Sequence, residues 1–461
     1  MNEKLSVMNM TNEQLIDLIQ SNSLKICVIG IGRIGLPTAL SFANSGLPTI
    51  GLDINKNLVD QINSKDFPLK DEPGYSDIFD KVTNNKKFYA TTTIEDAVPS
   101  SDVIILSLPT PMDNQNNPDY TALKTVGKEL NNFLNSGSLV IVESTVEPGF
   151  VENELLQIIE GDSKNLVVGK DFGLGVCPET ANPGQILNDF EKLPRLVGAI
   201  DNNTSNKIIE IYKHVFTVDL IKMSNCKTAN AVKLTTNVFR DINIAFVNEL
   251  AIIFEKLGID IMEVLGAAKT KYNFQTHYPG PGVGGPCLPV NSYQMISTAN
   301  NLNNDFLKIV KTSREINESM PNHVIELLKD VFKELGKPIE SSNILVLGIS
   351  YKPDVKDSQL TPTEPLIQKL KELKTNIKIY DPYFKNTKIF GIQTESNFVN
   401  SLSNTDALVI VTAHKEFHNL DPAFLKSKMA NPLIIDSKCV IDHYNAKKVG
   451  LIYRGIGRGK I

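Results

Sequence analysis

The chain is 461 residues long, more than one ordinary domain holds, so two or three domains are expected. Hydrophobic residues make up 41% and charged residues 21%, the range of a soluble globular protein. A net charge of −5 and a pI near 5.8 exclude a mainly nucleic-acid-binding surface, and the basic cluster Arg454, Arg458 and Lys460 is too small to change that. No apolar run approaches the roughly 18 residues of a membrane span. The first residues lack the apolar core of a secretion signal and read as a short polar helix over 12–21. Cysteines 27, 177, 226, 287 and 439 are scattered and odd in number, without metal-type pairing. They point to a reducing compartment, the cytoplasm, and away from disulfides or a zinc site.

From Leu24 onward, short apolar β-rich runs alternate with amphipathic stretches. KICVIG, PTIGLD, DVIILSLP, SLVIVE and FGLGVCPE are expected strands, the pattern of βαβ units and a parallel sheet. Near Asn225 the pattern changes. Apolar residues recur at three- and four-residue spacing for some thirty residues, with no Gly or Pro until Gly258. One helix of roughly 45 Å is expected there, a connector that also carries subunit contacts. An irregular Gly/Pro-rich stretch follows Lys269, then a helical zone that runs to about Leu335, where Gly336–Pro338 ends it. NILVLG, NIKIYD, ALVIVT and PLIIDS then mark a second, smaller Rossmann-like sheet. The expected fold is α/β, two Rossmann-like parallel-sheet domains joined by a long central helix. The expected boundaries are 1–215, 216–320 and 321–461.

The first strand runs into Gly30-Ile31-Gly32-Arg33-Ile34-Gly35, a G-x-G-x-x-G. Gly30 permits the tight turn, Gly32 the approach of a pyrophosphate, and Gly35 close packing of helix on strand. Asp53 ends the second strand, 23 residues beyond Gly30. There an acid accepts hydrogen bonds from ribose hydroxyls and repels a 2′-phosphate, so NAD is favoured over NADP. The plain alternatives are a strand-end capping acid for Asp53 and a solvated first-turn residue for Arg33. The other informative stretch is PGPGVGGPCLP at 279–289, with four glycines and four prolines in eleven residues. It is neither helix nor central strand, and it displays Cys287. Cys287 reads either as a nucleophile or as a buried small hydrophobe.

GPGVGGPC and VIGIGRIGLPTAL together resemble the UDP-glucose/GDP-mannose dehydrogenase family. Further segments resemble the family in the same order: LPTP at 108–111, ESTVEPG at 143–149, CPE at 177–179, KLTTN at 233–237, REINESMP at 314–321, GISYKPDVKD at 348–357 and YDPY at 380–383. The resemblance implies an N-terminal NAD domain, a central dimer-building helix and a C-terminal nucleotide-sugar domain. It implies a four-electron oxidation of a sugar C6 alcohol to a carboxylate, with the aldehyde held on Cys287 as a thiohemiacetal and then a thioester. It places Lys233 and Asn237, one turn apart on the helix, at the reacting carbon, with Lys233 able to donate to a developing oxyanion. It gives Glu179 the hydrolytic water and Thr145 a water near the nicotinamide. Gly30 to Gly35, Asp53, Pro109, Thr110 and Thr145 fall to the cofactor. Glu179, Lys233, Asn237, Arg240, Asn243, Gly282, Gly284, Tyr351 and Lys352 fall to the UDP-sugar. The plain alternatives are a solvated helix charge for Lys233 and a helix-capping hydroxyl for Thr145.

Three departures stand out. Asn291 occupies the position four after the nucleophile where the family usually has an acid, so any general-base role there is lost or moved. Gln359, in DSQLTP, replaces a common Arg and removes a cation. Thr180 follows Glu179 where the aminosugar branch often has PE-R. FRDINIAFVNELA, PGPGVGGPC and Pro183-Gly184 still resemble that branch. They imply UDP-N-acetyl-D-mannosamine ahead of UDP-N-acetyl-D-glucosamine and UDP-glucose; the family resemblance implies a homodimer, and no metal site is expected. A two-electron hydroxyacid-type dehydrogenase and a non-catalytic nucleotide-binding regulator are the competing readings. Neither needs Cys287.

Overall fold

The computed structural model describes residues 6–161, 163–303 and 306–458; Lys460 of the basic tail lies outside them. The chain forms two compact units, Met1–Thr236 with Tyr293–Leu302 and Asn237–Ser292 with Asn303–Ile461. The helix Cys226–Leu257 runs unbroken for 32 residues, as the absence of Gly and Pro requires, and gives its first part to one unit and the rest to the other.

The first unit holds an eight-stranded sheet. Its strands are β1 (Ile26–Ile29), β2 (Thr49–Leu52), β3 (Phe88–Thr91), β4 (Val103–Leu106), β5 (Ser138–Val142), β6 (Phe172–Val176), β7 (Arg195–Ala199) and β8 (Leu220–Lys222). Their order is β3-β2-β1-β4-β5-β6-β7-β8. The order reverses direction beside β1, so the crevice beyond the ends of β1 and β4 is the topological switch point, where ligands bind in such sheets. Ile26, Cys27, Val28 and Ile29 are buried on both faces, which requires helices above and below. Each fully buried aliphatic side chain contributes roughly 1.5–3 kcal/mol. β7 runs antiparallel to β6, a departure from the all-parallel expectation.

The second unit holds a five-stranded, fully parallel sheet of β9 (Asn343–Leu347), β10 (Asn376–Tyr380), β13 (Ala407–Ile410), β14 (Leu433–Asp436) and β15 (Ile452–Gly455), in the order β10-β9-β13-β14-β15. A small antiparallel hairpin, β11 (Lys388–Ile389) and β12 (Ile392–Gln393), lies between β10 and β13 in sequence. The helical zone after the Gly/Pro stretch is two helices, Leu288–Asn301 and Lys308–Glu334. The second stops at Leu335, where Gly336 takes a left-handed φ of +62° and bonds back to Lys333 O. The two described arginines of the basic tail are paired, Arg454 with Glu334 (2.7 Å) and Arg458 with Asp260 (3.4 Å).

The glycine turn after β1 leaves no room for a side chain at Gly35. A Cβ at Gly35 would lie 1.9 Å from the carbonyl oxygen of Gly30, which is backbone and has little room to yield. Gly35→Ala is therefore expected to destabilise the protein by about 1–3 kcal/mol through overpacking, read as a lowered thermal midpoint. A wild-type melting curve would contradict the close contact.

Candidate active site

Gly30 has φ +88°, so only glycine holds the turn without strain. A Cβ at Gly32 would meet nothing within 4 Å, leaving an open cradle over the helix Gly35–Asn44, whose N-terminus favours an anion. Asp53 helps build this cradle. Its Oδ2 accepts from the N–H of Ile31 (3.1 Å) and its Oδ1 from the N–H of Asn55 (2.9 Å). Ile54, beside it, is 94% exposed, an apolar surface that sequence reasoning passed over. Arg33 is not a solvated first-turn residue. Its guanidinium pairs with Asp71 and, at 3.0 Å, with buried Glu72. Glu72 also accepts from Gly184 N–H (2.6 Å), and burial raises its carboxyl pKa. The residues thus fit a dinucleotide, with Arg33 turned to the neighbouring loop. Opposite β1, Thr110 Oγ1 donates to Thr145 O (2.8 Å) and Leu108 N–H donates to Ser144 Oγ (2.8 Å). This stitches Pro109 and Thr110 to the Thr145 loop. Thr145 is half-buried and caps no described helix; Gln294 Nε2 also donates to its carbonyl (3.1 Å).

Behind this crevice is a buried charge cluster. Glu179 Oε1 accepts from the N–H groups of Thr180 and Ala181 (2.6 Å each), and Oε2 pairs with Arg195 Nη1 at 2.9 Å. The carboxylate is fixed in orientation and 9% exposed. The same Arg195 nitrogen lies 3.6 Å from Glu143, which also accepts from Tyr212 Oη (2.9 Å) and Thr38 Oγ1 (3.0 Å). The guanidinium stacks on Phe216 and Phe190, 3.8 and 4.4 Å from the ring centres. One cation serves two carboxylates, and burial with the nearby Glu179 charge raises the Glu143 carboxyl to about 7. Burial pushes the Cys177 thiol up to about 12, as expected for an inert structural cysteine. Sequence reasoning missed Arg195; the available signal was an arginine inside the apolar run LPRLVGA.

Lys233 is only 8% exposed, which excludes a solvated helix charge. In the second unit, Cys287 is exposed and immediately precedes the helix Leu288–Asn301, its carbonyl accepting from Asn291 N–H (2.9 Å). The buried alternative for this cysteine is thereby excluded. The sulfur belongs to the residue at the positive end of a helix. Asn291 is buried, and its side-chain oxygen accepts directly from Asn237 Nδ2. The two amides are complementary, whereas the acid usual at 291 would bring a charge. The loop is pressed onto the C-terminal sheet domain. Gly285, at φ +90°, donates its N–H to Gln359 O (3.0 Å), and a Cβ there would lie 2.5 Å from the Tyr351 ring. Gly282 and Gly284 face Pro362 and Leu360 in the same way. Tyr351 and Lys352 sit on a loop anchored by Asp381, which accepts from Ile349 N–H (2.6 Å) and from His414 Nε2 (3.0 Å). Gln359 spends its side chain on Asp357 (3.3 Å). Lys438 instead brings a cation to the loop; a Cβ at Gly280 would lie 2.5 Å from its Nζ, and burial lowers its pKa. Arg240 is exposed, and Asn243 donates to Phe239 O (2.7 Å) on its own helix. Among the described residues no group of three or more His, Cys, Asp or Glu is placed to hold a metal, and no helix is long and apolar enough to cross a membrane.

The chain matches three domain families. Residues 24–216 match the NAD binding domain of the UDP-glucose/GDP-mannose dehydrogenase family, 227–319 its central domain and 345–443 its UDP binding domain. It is 32% identical over 440 residues to the UDP-N-acetyl-D-mannosamine dehydrogenase of Pyrococcus horikoshii, covering 95% of this chain and 100% of that protein. A solved UDP-N-acetyl-D-mannosamine dehydrogenase structure from the same organism superposes with a TM-score of 0.88 at 31% identity, covering 95% and 100% of the two chains. An NDP-N-acetyl-D-galactosaminuronic acid dehydrogenase from Methanosarcina mazei superposes with 0.83 at 30% identity, covering 99% and 98%.

Two outcomes follow from the buried cluster. Arg195→Met leaves Glu179 and Glu143 buried without their cation, at a cost of roughly 3–5 kcal/mol in a denaturant titration. Glu143 has a raised folded pKa, so its contribution to stability is full below the ordinary value of 4.5 and is lost as pH climbs through about 7. Glu143→Gln cannot ionise and escapes that loss. The melting temperature of the variant minus that of the wild type should rise between about pH 5 and about pH 8, and a flat difference would place the titration elsewhere.

Proposed function

Because the chain belongs to the UDP-glucose/GDP-mannose dehydrogenase family, we propose that it oxidises the C6 alcohol of UDP-N-acetyl-D-mannosamine to the uronate, with Cys287 as covalent catalyst. The chain is an NAD-dependent oxidoreductase with a UDP-binding domain. The observation that carries the proposal is the exposed Cys287 at the head of a helix, in a loop packed against the UDP-binding domain. NAD, when bound, supplies the two-electron acceptor, used twice for each sugar.

The protein's own groups do the rest. Gly32 and the helix end behind it receive the pyrophosphate, and Asp53 receives the ribose hydroxyls. Lys233, buried and one helical turn from Asn237, donates to the oxygen that gains charge at C6, with Asn237 beside it. The Cys287 sulfur bonds to the aldehyde carbon and holds it as a thiohemiacetal through the second oxidation to a thioester. Glu179, clamped by Arg195, orients the water whose oxygen displaces the sulfur, and Thr145 positions a water near the nicotinamide. Release of the carboxylate returns the thiol. Asn291 does not serve as a base. It holds Asn237, and it is a positioning group. Tyr351, Lys352, Gly282, Gly284 and Lys438 form the nucleotide-sugar side, with Lys438 taking the place of the cation lost at Gln359; Arg240 and Asn243 lie further along the helix.

The proposed division is an NAD domain over 1–215, a central helical domain over 216–320 and a UDP-sugar domain over 321–461. We propose a homodimer in the cytoplasm. Phe239, Phe246 and Ile253 form an exposed apolar stripe at seven-residue spacing on the connecting helix, and the cysteines are free. A second sugar has support from the Methanosarcina likeness, an N-acetylgalactosamine derivative.

A panel of UDP-sugars with NAD, followed by NADH absorbance, tests the substrate. The expected result is about two NADH per UDP-N-acetyl-D-mannosamine, against one for a simple alcohol dehydrogenase. Cys287→Ser should bind NAD and UDP-sugar yet form uronate at least ~100-fold more slowly. Uronate at the wild-type rate would overturn the covalent mechanism.

A further inference from the structure

Asp241 is fully buried on the connecting helix, one turn beyond Asn237. An isolated carboxylate there would cost several kcal/mol, so its partners define what it does. Its Oδ2 accepts from Ser292 Oγ at 2.8 Å. Its Oδ1 accepts from Arg314 Nη1 at 2.9 Å and from Asn317 Nδ2 at 2.8 Å, and its own carbonyl accepts from the same Asn317 amide at 3.0 Å. Asn317 Oδ1 in turn accepts from Asn248 Nδ2 (3.0 Å), and Asn248 Oδ1 accepts from the backbone N–H of Gly280 (2.8 Å). Asn248 lies seven residues after Asp241, on the same face of the helix.

Gly280 opens the loop that carries Cys287, and Ser292 lies in the helix that follows it. Both ends of the 280–292 segment are therefore tied to one carboxylate, directly at one end and through two amides at the other. Asn291, next to Ser292, is held one turn away by Asn237. The links run without a break from Ser292 to Gly280, and every side chain in them is buried. The Gly- and Pro-rich loop has no regular backbone ladder of its own, so it takes its shape from such ties.

We propose that Asp241, charge-balanced by Arg314, is the positioning residue for the nucleophile: it sets the place of the Cys287 sulfur without touching substrate. This rests on the role given to Cys287 above. Misplacing a reacting atom by about 1 Å costs on the order of 100-fold in rate, so a rigid anchor here acts on turnover rather than on nucleotide binding.

The experiment compares wild type with Asp241→Asn, Ser292→Ala and Asn248→Ala in the full-length protein. Three quantities are read: kcat and KM, NAD affinity by titration, and the rate of Cys287 alkylation by iodoacetamide. The alkylation is selective because Cys27, Cys177 and Cys226 are buried and burial pushes the Cys439 thiol up to about 12. Expected for Asp241→Asn is a kcat lowered about 10–100-fold, KM and NAD affinity within about threefold of wild type, and an alkylation rate changed at least about threefold. Ser292→Ala and Asn248→Ala each remove one tie and should give a smaller loss of the same kind; they decide the matter if Asp241→Asn does not fold. Wild-type kcat with an unchanged alkylation rate in the two single-tie variants overturns the proposal. If Cys287→Ser keeps full activity, the covalent mechanism fails instead, and the alkylation rates still judge the anchor by themselves.

Discussion

A charge removed from water must find its partners inside the protein, and this constraint shapes both halves of the molecule. In the first unit Arg195 is shared by Glu143 and Glu179 and roofed by aromatic rings. In the second, Asp241 gathers Ser292, Arg314 and Asn317. Each arrangement converts a costly burial into a rigid frame, because losing any one partner leaves another unpaired. The groups proposed to meet ligand are simple, a glycine turn, a thiol, an amide and a lysine. Buried pairs lie behind them in both units.

The parts of the fold read from sequence are those with strong periodicity. Strands buried on both faces, such as Ile26–Ile29 and Leu433–Asp436, announce themselves as apolar runs, and the helix Cys226–Leu257 by its unbroken three- and four-residue spacing. β3, β8 and β15 were not legible. They stand at sheet edges, are short, and carry Tyr89, Lys222 and Arg454 among their residues. β7 was hidden because its first residue is Arg195, and its antiparallel direction has no local signature at all.

The glycine fingerprint and the cysteine loop were legible because glycine and proline have few other uses at such density. The residues that support them were not. Asp241 and Asn248 stand at helical spacing from Asn237, the pattern of a solvated face, yet both are buried. Only the packing of Ser292, Asn317 and Gly280 against them distinguishes a polar interior from a polar exterior. Arg33 shows a different case. Its place in the fingerprint implies a cofactor residue, while its guanidinium is engaged by Asp71 and Glu72 on a neighbouring loop.

The ribose contact proposed for Asp53 falls on a side chain that already has a structural role. Its two oxygens already brace the N–H groups of Ile31 and Asn55, so the acid organises the glycine turn before any ribose arrives. Re-engineering this enzyme to accept the phosphorylated coenzyme by neutralising Asp53 would remove the repulsion and, in the same stroke, unbrace the turn that receives the pyrophosphate. On the role proposed for Asp53, coenzyme choice and turn rigidity become one property of a single side chain, and a successful exchange needs a replacement acceptor for the Ile31 amide.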